Sequence, residues 1–256
     1  MKPFFRHILE ALVLVSLPFL WGASKHLSGE VRRQTTCQGV EPVILDSASL
    51  RFVSPDDVKG WMDDYGTYIG LRLDSVDLDR LERILLAKSA VRSCEAYLTD
   101  DGVIHVELSQ RAPVVRFATP TGGYYSDAEG YIFPLHSRFS ASVPIVDGAL
   151  PLTVGEGFKG EMEDPAEREY LREIIALIGT LKGTRWEQDI CQVSVVKGGE
   201  IILVPREGKE RFRFGQPTGV AGKLDRLEKY YTCVAPAREK PATMVDLRFK
   251  GQIICQ

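Results

Sequence analysis

The chain has 256 residues, a formal net charge of −3, and 44% hydrophobic and 26% charged residues, enough for one large domain or two modest cores. No run of Lys and Arg interleaved with aromatics occurs, so the electrostatic footprint of a nucleic-acid binder is missing. The five cysteines, Cys37, Cys94, Cys191, Cys233 and Cys255, are widely spaced, odd in number and form no C-x-x-C pair. That argues against a dense disulfide framework and a zinc site, while leaving one bridge open.

The most asymmetric feature is at the N-terminus. Residues 8–23 are apolar apart from Glu10 and Ser16, with Lys2 and Arg6 before them and Lys25, Arg32 and Arg33 after. The segment is somewhat short for a spanning helix and contains Pro18. A cleaved signal peptide is the competing reading, because Gly22-Ala23-Ser24 offers small residues at a plausible cleavage site. The preferred expectation is a short cytoplasmic head at 1–7, a single transmembrane anchor at 8–28, and a connector at 29–39. The rest of the chain then lies outside the cytoplasm.

A first folded unit is expected over residues 40–111. Val43-Ile44-Leu45 starts it within an irregular opening strand from Glu41 to Phe52. Ser54-Pro55-Asp56-Asp57 reads as an N-cap, a helix-start proline and first-turn acids, opening a short helix through Trp61 and Met62. A second helix is predicted from about Asp77 to Lys88, because Leu78, Leu81, Ile84 and Leu85 make one apolar stripe. The period then switches to two. Residues 91–98 alternate, Asp100-Asp101-Gly102 turns, and Ile104, Val106 and Leu108 alternate with His105 and Glu107. This order predicts a compact α+β unit, βααββ, with both helices on one face of a three-stranded sheet that keeps an open edge.

Residues 112–256 read as a β-rich domain with two amphipathic helices. Short strands are expected at 114–117, 123–125, 131–133 and 144–146, punctuated by Gly, Pro and Asp turns. Asp164-Pro165-Ala166-Glu167 supplies an N-cap, a helix-start proline and a capping-box acid for one helix, with Leu171, Ile174, Ile175 and Ile178 as its stripe, ending near Gly179. The other runs from about Thr218 to Tyr231, with Val220, Leu224, Leu227 and Tyr231 on one side. Further strands are placed at 190–196, 200–204, 211–214, 244–249 and 252–255, the whole being a meander of hairpins.

No catalytic pattern assembles. Ser194-Val195-Val196-Lys197 matches S-x-x-K, but it alternates into a Lys-Gly-Gly turn where a helix is required, and no Lys-Thr-Gly follows. Gly219-Val220-Ala221-Gly222-Lys223 resembles the end of a phosphate loop, yet Pro217 replaces the first glycine and Leu224 the metal-binding hydroxyl. Asp127-Ala128-Glu129-Gly130 lacks the further acids of a calcium loop. Of four histidines, His7 and His26 flank the apolar segment, and His105 and His136 lack partners at metal or triad spacing. The expectation is a protein without catalytic residues, metal or cofactor.

Four segments resemble those of one known family. Arg111-Ala112-Pro113 is similar to its Arg-x-Pro at the end of the first unit. Residues 124–133 are similar to its hairpin of an aromatic, Asp, Gly and then aliphatic-Phe, and residues 245–253 to its terminal Asp-Leu-Arg-aromatic segment with a following Gln. Lys223-Leu224-x-x-Leu227 matches its last helix, and together the four segments resemble the bacterial cell-division family FtsQ/DivIB. The short head and the irregular opening strand depart from the family pattern. The resemblance implies a single-pass inner-membrane protein with a cytoplasmic N-terminus, a periplasmic POTRA domain and the family's β domain. It implies a non-enzymatic divisome scaffold at the septum, joining FtsB/FtsL-like coiled-coil partners and other divisome components and regulating septal peptidoglycan synthesis. The partner-binding residues it implies are Asp246, Leu247, Arg248, Phe249, Gln252 and Ile253, with Phe249 as an apolar anchor, Arg248 as a donor to partner acids, and Tyr230 and Tyr231 flanking. The residues add a physical reason: these strands are expected to end a sheet, leaving backbone groups able to accept a partner strand. The alternative is a secreted or envelope POTRA-type receptor or chaperone for β segments, its signal removed.

Overall fold

The computed structural model describes residues 35–120 and 122–256, which leaves the expected head and anchor outside the described residues. The described residues form two compact units, divided after Gln110. Among the described residues no helix is long and apolar enough to cross a membrane.

In the first unit β1 (Gly39–Ile44) is followed by α1 (Pro55–Met62), α2 (Leu78–Leu86), β2 (Val91–Leu98) and β3 (Val103–Gln110). The sheet order is β1-β3-β2, with β1 parallel to β3 and β2 antiparallel to it. Ile104, Val106 and Leu108 of the central strand, Val58 and Met62 of α1, and Leu81 and Leu85 of α2 are all buried and form the core of this unit. Alternation on β3 and the helical stripe on α2 therefore do the work the pattern predicted. Ser54 caps α1 through a reciprocal box: its hydroxyl accepts from the Asp57 amide at 3.2 Å, and the Asp57 carboxylate accepts from the Ser54 amide at 2.9 Å. Asp77 caps α2 by accepting from the Arg80 amide at 2.9 Å.

The opening strand differs from the expected one. It begins at Gly39, four residues before Val43, and stops at Ile44, because residues 45–49 form a turn. Asp46 drives that turn, its carbonyl accepting from the amides of Ser49 and Leu50. The following loop is sewn down by the buried amide of Gln110, which donates to Asp46 and to the Leu50 carbonyl and accepts from the Val53 amide. Cys37 is buried ahead of β1, its amide bonded to the Leu71 carbonyl.

The second unit contains β4 (Pro113–Thr119), β5 (Gly122–Asp127), β6 (Ile132–Pro134), β7 (Ile145–Gly148), α3 (Pro165–Leu181), α4 (Trp186–Asp189) and β8 (Ile190–Val195). Then follow β9 (Ile201–Pro205), β10 (Arg211–Gly215), α5 (Val220–Lys229), β11 (Met244–Asp246) and β12 (Ile254–Cys255). All nine strands lie in one sheet, ordered β12-β11-β10-β9-β8-β7-β4-β5-β6.

This order corrects the expected meander. Three neighbouring pairs, β4 with β7, β7 with β8, and β10 with β11, are parallel. A parallel pair cannot be closed by a tight turn and needs a crossover of a dozen residues or more. The two amphipathic helices serve as crossovers, α3 between β7 and β8 and α5 between β10 and β11. Both lay their stripes on the same core, where Leu171, Ile174 and Leu177 of α3 and Leu227 of α5 meet Val193, Leu203 and Phe212 of the sheet. α3 runs two residues past Gly179, and its Glu167 accepts from the Thr153 amide at 3.0 Å, so Asp164 caps the helix without a box. Past Lys229 the backbone widens into a π turn over Tyr230–Val234. That shift puts Tyr230, and not Tyr231, fully into the core.

The family-like segments close turns here. Asp127, 2% exposed, accepts from the Arg111 guanidinium at 2.9 Å and from the amides of Glu129 and Tyr131. Arg111 lies over the Tyr131 ring, 3.4 Å from its centroid.

Two stability outcomes are expected in urea denaturation. Asp127→Ala leaves the half-buried Arg111 without its carboxylate and two turn amides without their acceptor, and should destabilise the second unit by roughly 3 kcal/mol. Ser54→Ala removes one half of a capping box and should cost the first unit about 1 kcal/mol.

Candidate partner-binding edge

The C-terminal end of the sheet is assembled from α5, β10, β11 and β12. β11 is parallel to β10, pairing Phe212 with Val245 and Arg213 with Asp246, and the Leu247 amide extends the ladder to the Arg213 carbonyl at 2.9 Å. β12 lies on the other side of β11, antiparallel, with Val245 opposite Cys255 and Asp246 opposite Ile254. Gln256 exchanges both backbone bonds with Met244, at 2.9 and 3.3 Å. Antiparallel ladders alternate such bonded pairs with non-bonded ones, so Ile254 and Gln256 face inward. The N–H and C=O of Cys255 therefore point to the outer edge, where no strand pairs among the described residues.

This arrangement corrects the expected strand at 244–249. β11 stops at Asp246, and a turn at 249–251 with Gly251 at φ +80° brings the chain back as β12. Asp246 is flanked by β10 and β12 and is not itself an edge residue. Leu247 is 0% exposed and belongs to the core, whereas Phe249 is 42% exposed, so the alternation that put the two on one face fails at the turn. Gln252 is exposed, and Ile253 packs half-buried against the core cluster. Tyr231 is half-buried in a ring cluster with Trp186, Phe212 and Tyr230.

Arg248 does not project freely. Its guanidinium grips the Asp246 carboxylate through Nε, at 3.0 and 3.2 Å, and Nη2, at 2.8 Å, and its Nη1 lies 3.4 Å from both oxygens of Glu200. Burial works to raise the Asp246 carboxyl, but hydrogen bonds and charge from Arg248 outweigh it and hold the group below its ordinary value. Glu200 stands outside the expected segment; nothing in its local sequence, a turn before a strand, marks it.

Beside the turn, a groove of about 530 Å³ is lined by Asp225, Arg226, Lys229, Val234, Lys250 and Ile253. Its rim is mostly basic. Arg226 uses Nε to hold the Leu247 carbonyl at 2.9 Å, and Lys229 pairs with Asp225 at 2.8 Å. Phe249 and Ile254, 40% exposed, add apolar surface next to the open strand. The site has backbone donors and acceptors, an exposed aromatic and a positive rim.

The groups considered for chemistry sit elsewhere. Ser194 is on β8 and donates to Asp147 at 2.7 Å, while the buried Ser126 donates to the Asp127 carbonyl. His105 stacks on Tyr97, 3.5 Å from Glu41, and the five cysteines are free thiols. Among the described residues no group of three ligating side chains could hold a metal.

A family model for the FtsQ/DivIB C-terminal related domain matches residues 112–256, and a model for the POTRA-like domain matches residues 35–109. A search of curated proteins returns no match. The two matches, ending at residue 109 and beginning at residue 112, flank the division between the structural units after Gln110. Because the first match covers more than half of the chain, and its hairpin and terminal segments build the observed sheet, this protein belongs to the FtsQ/DivIB family.

Proposed function

We propose that this chain is a non-enzymatic scaffold of the division machinery, held in the inner membrane by its N-terminal segment with the two described units in the periplasm. Its task is to bind an FtsB/FtsL-like coiled-coil pair at the septum and thereby regulate septal peptidoglycan synthesis. The observation that carries this reading is the contrast between the two edges of the nine-stranded sheet. At β6 the edge is closed, because Ile132 exchanges two backbone bonds with Gly160, at 2.8 and 2.9 Å, and Pro134 removes a donor. At β12 the outward groups of Cys255 are left for another chain.

Strand addition draws affinity from backbone bonds and specificity from flanking side chains. Phe249 supplies an apolar anchor, and Lys229 and Lys250 on the groove rim suit an acidic partner segment. Arg248, gripped by two carboxylates of its own chain, is replaced in that role by the groove lysines.

Capture of the FtsB/FtsL-like pair by the solubilised full chain tests the assignment. Cys255→Pro removes an outward N–H and should lower capture at least about tenfold with little loss of stability, whereas Ile254→Pro removes an inward N–H and should damage the sheet itself. Phe249→Ala should weaken capture by roughly 2 kcal/mol. Undiminished capture by a folded variant lacking residues 253–256 refutes this location. In cells, a fluorescent fusion should gather at midcell, and N-terminal sequencing of membrane-extracted protein should find the first residues retained; a soluble chain beginning near Lys25 defeats the anchor.

A further inference from the structure

Arg248 stands where the chain leaves β11 and turns toward β12, yet its side chain runs back across the sheet. From Asp246 on β11 it crosses the end of β10 and reaches Glu200 at the start of β9. The crossing passes over Gly215, which has φ +77°, and a Cβ there would stand 2.9 Å from Cγ and 3.0 Å from Cδ of Arg248. Residue 215 thus needs to be glycine for two reasons, its left-handed backbone and the arginine stem lying against it. All three guanidinium nitrogens bond carboxylates of this chain.

The backbone beside Arg248 is held just as firmly. The Leu247 amide donates to Arg213, its carbonyl accepts from Arg226, and its side chain is buried. The Arg248 amide donates to Asp246 at 3.0 Å. Beyond this point residues 249–252 are exposed, and β12 has only two residues in its ladder. So short a strand has little hydrophobic pattern with which to specify its own register. Gln256 pairs with Met244, and Ile253 and Cys255 pack on the core, but where these few contacts begin is set by the point of departure.

We propose that Glu200 and Gly215 complete, with Asp246 and Arg248, a latch across three strands that fixes where β12 begins, making Glu200 and Gly215 positioning residues for the partner edge although neither lies on it. The inference rests on the reading of β12 as the edge that takes the partner strand. A partner can add a strand only to an edge whose donors and acceptors are held in line. Loosening the latch therefore costs the partner an ordering step it does not otherwise meet.

Hydrogen exchange by mass spectrometry on the full chain, read at residues 253–256, tests the latch without any partner. Exchange there should quicken about tenfold in Gly215→Ala and about threefold in Glu200→Gln, while β4 to β9 stay protected. Capture of the FtsB/FtsL-like pair should fall by similar factors, through faster dissociation. Unchanged exchange at 253–256 in a folded Gly215→Ala overturns the latch whatever the partner does. Quickened exchange with undiminished capture in both variants overturns the positioning role. Should Gly215→Ala fail to fold, Glu200→Gln decides, with Arg248→Lys, which keeps the charge and loses the fork, as its companion. Wild-type capture that survives removal of 253–256 points to a different failure, that of the interface assignment, and removes the positioning role with it.

Discussion

An open sheet has two outermost strands, and each carries a row of backbone donors and acceptors that the ladder does not use. The nine-stranded sheet meets this requirement unequally. At β6 it spends a proline, a three-residue strand and a bridge to Gly160 on closing the row. At β12 it keeps the row open but only two residues long. Both solutions limit unwanted pairing between copies, since a short edge offers too few bonds for stable association alone. Only the second can be completed by a partner that brings further contacts.

The placement of that edge depends on the crossovers. Because β10 and β11 are parallel, the chain must travel the length of the sheet between them, and α5 makes the journey while burying Leu224 and Leu227. The π turn after Lys229 then seats Tyr230 in the core against Phe212, ring centroids 5.5 Å apart. The last two strands are thus delivered to the far end of the sheet by a helix whose stripe is part of the core. Burial of α5 and exposure of β12 are two consequences of one connection.

Much of this was legible in the residues because local patterns decide it. Ser54 with Pro55 marks a helix start wherever it stands, and the strict alternation of Ile104, Val106 and Leu108 admits one buried face. The long helix after Asp164 announced itself by cap, proline and stripe. What local pattern cannot state is which strands become neighbours, and the parallel pairing of β7 with β8 is a property of the crossover as a whole. The terminal segment shows the same limit at finer grain. Asp246-Leu247-Arg248-Phe249 reads as an alternating strand, but the carboxylate of Asp246 recaptures the Arg248 amide and guanidinium and ends the strand there. Glu200 and Gly215, distant in sequence, were beyond reach for that reason.

The fate of Arg248 also changes how charge serves the edge. An arginine free in solvent loses rotamer entropy when a partner fixes it, and its exposed ion pairs are individually weak. Held between Asp246 and Glu200, the same side chain has already met that cost within the fold. Its contribution passes through geometry, by holding the strand exit still. In the proposed reading, charge recognition then falls to Lys229 and Lys250 at the groove rim, both long and exposed, Lys229 in an ion pair with Asp225. A rim of exposed cations would tolerate variation in the proposed partner's acids, while the backbone edge would demand an extended segment in register. Separating the two tasks would let the strand specify how a partner lies and the lysines govern how readily it arrives.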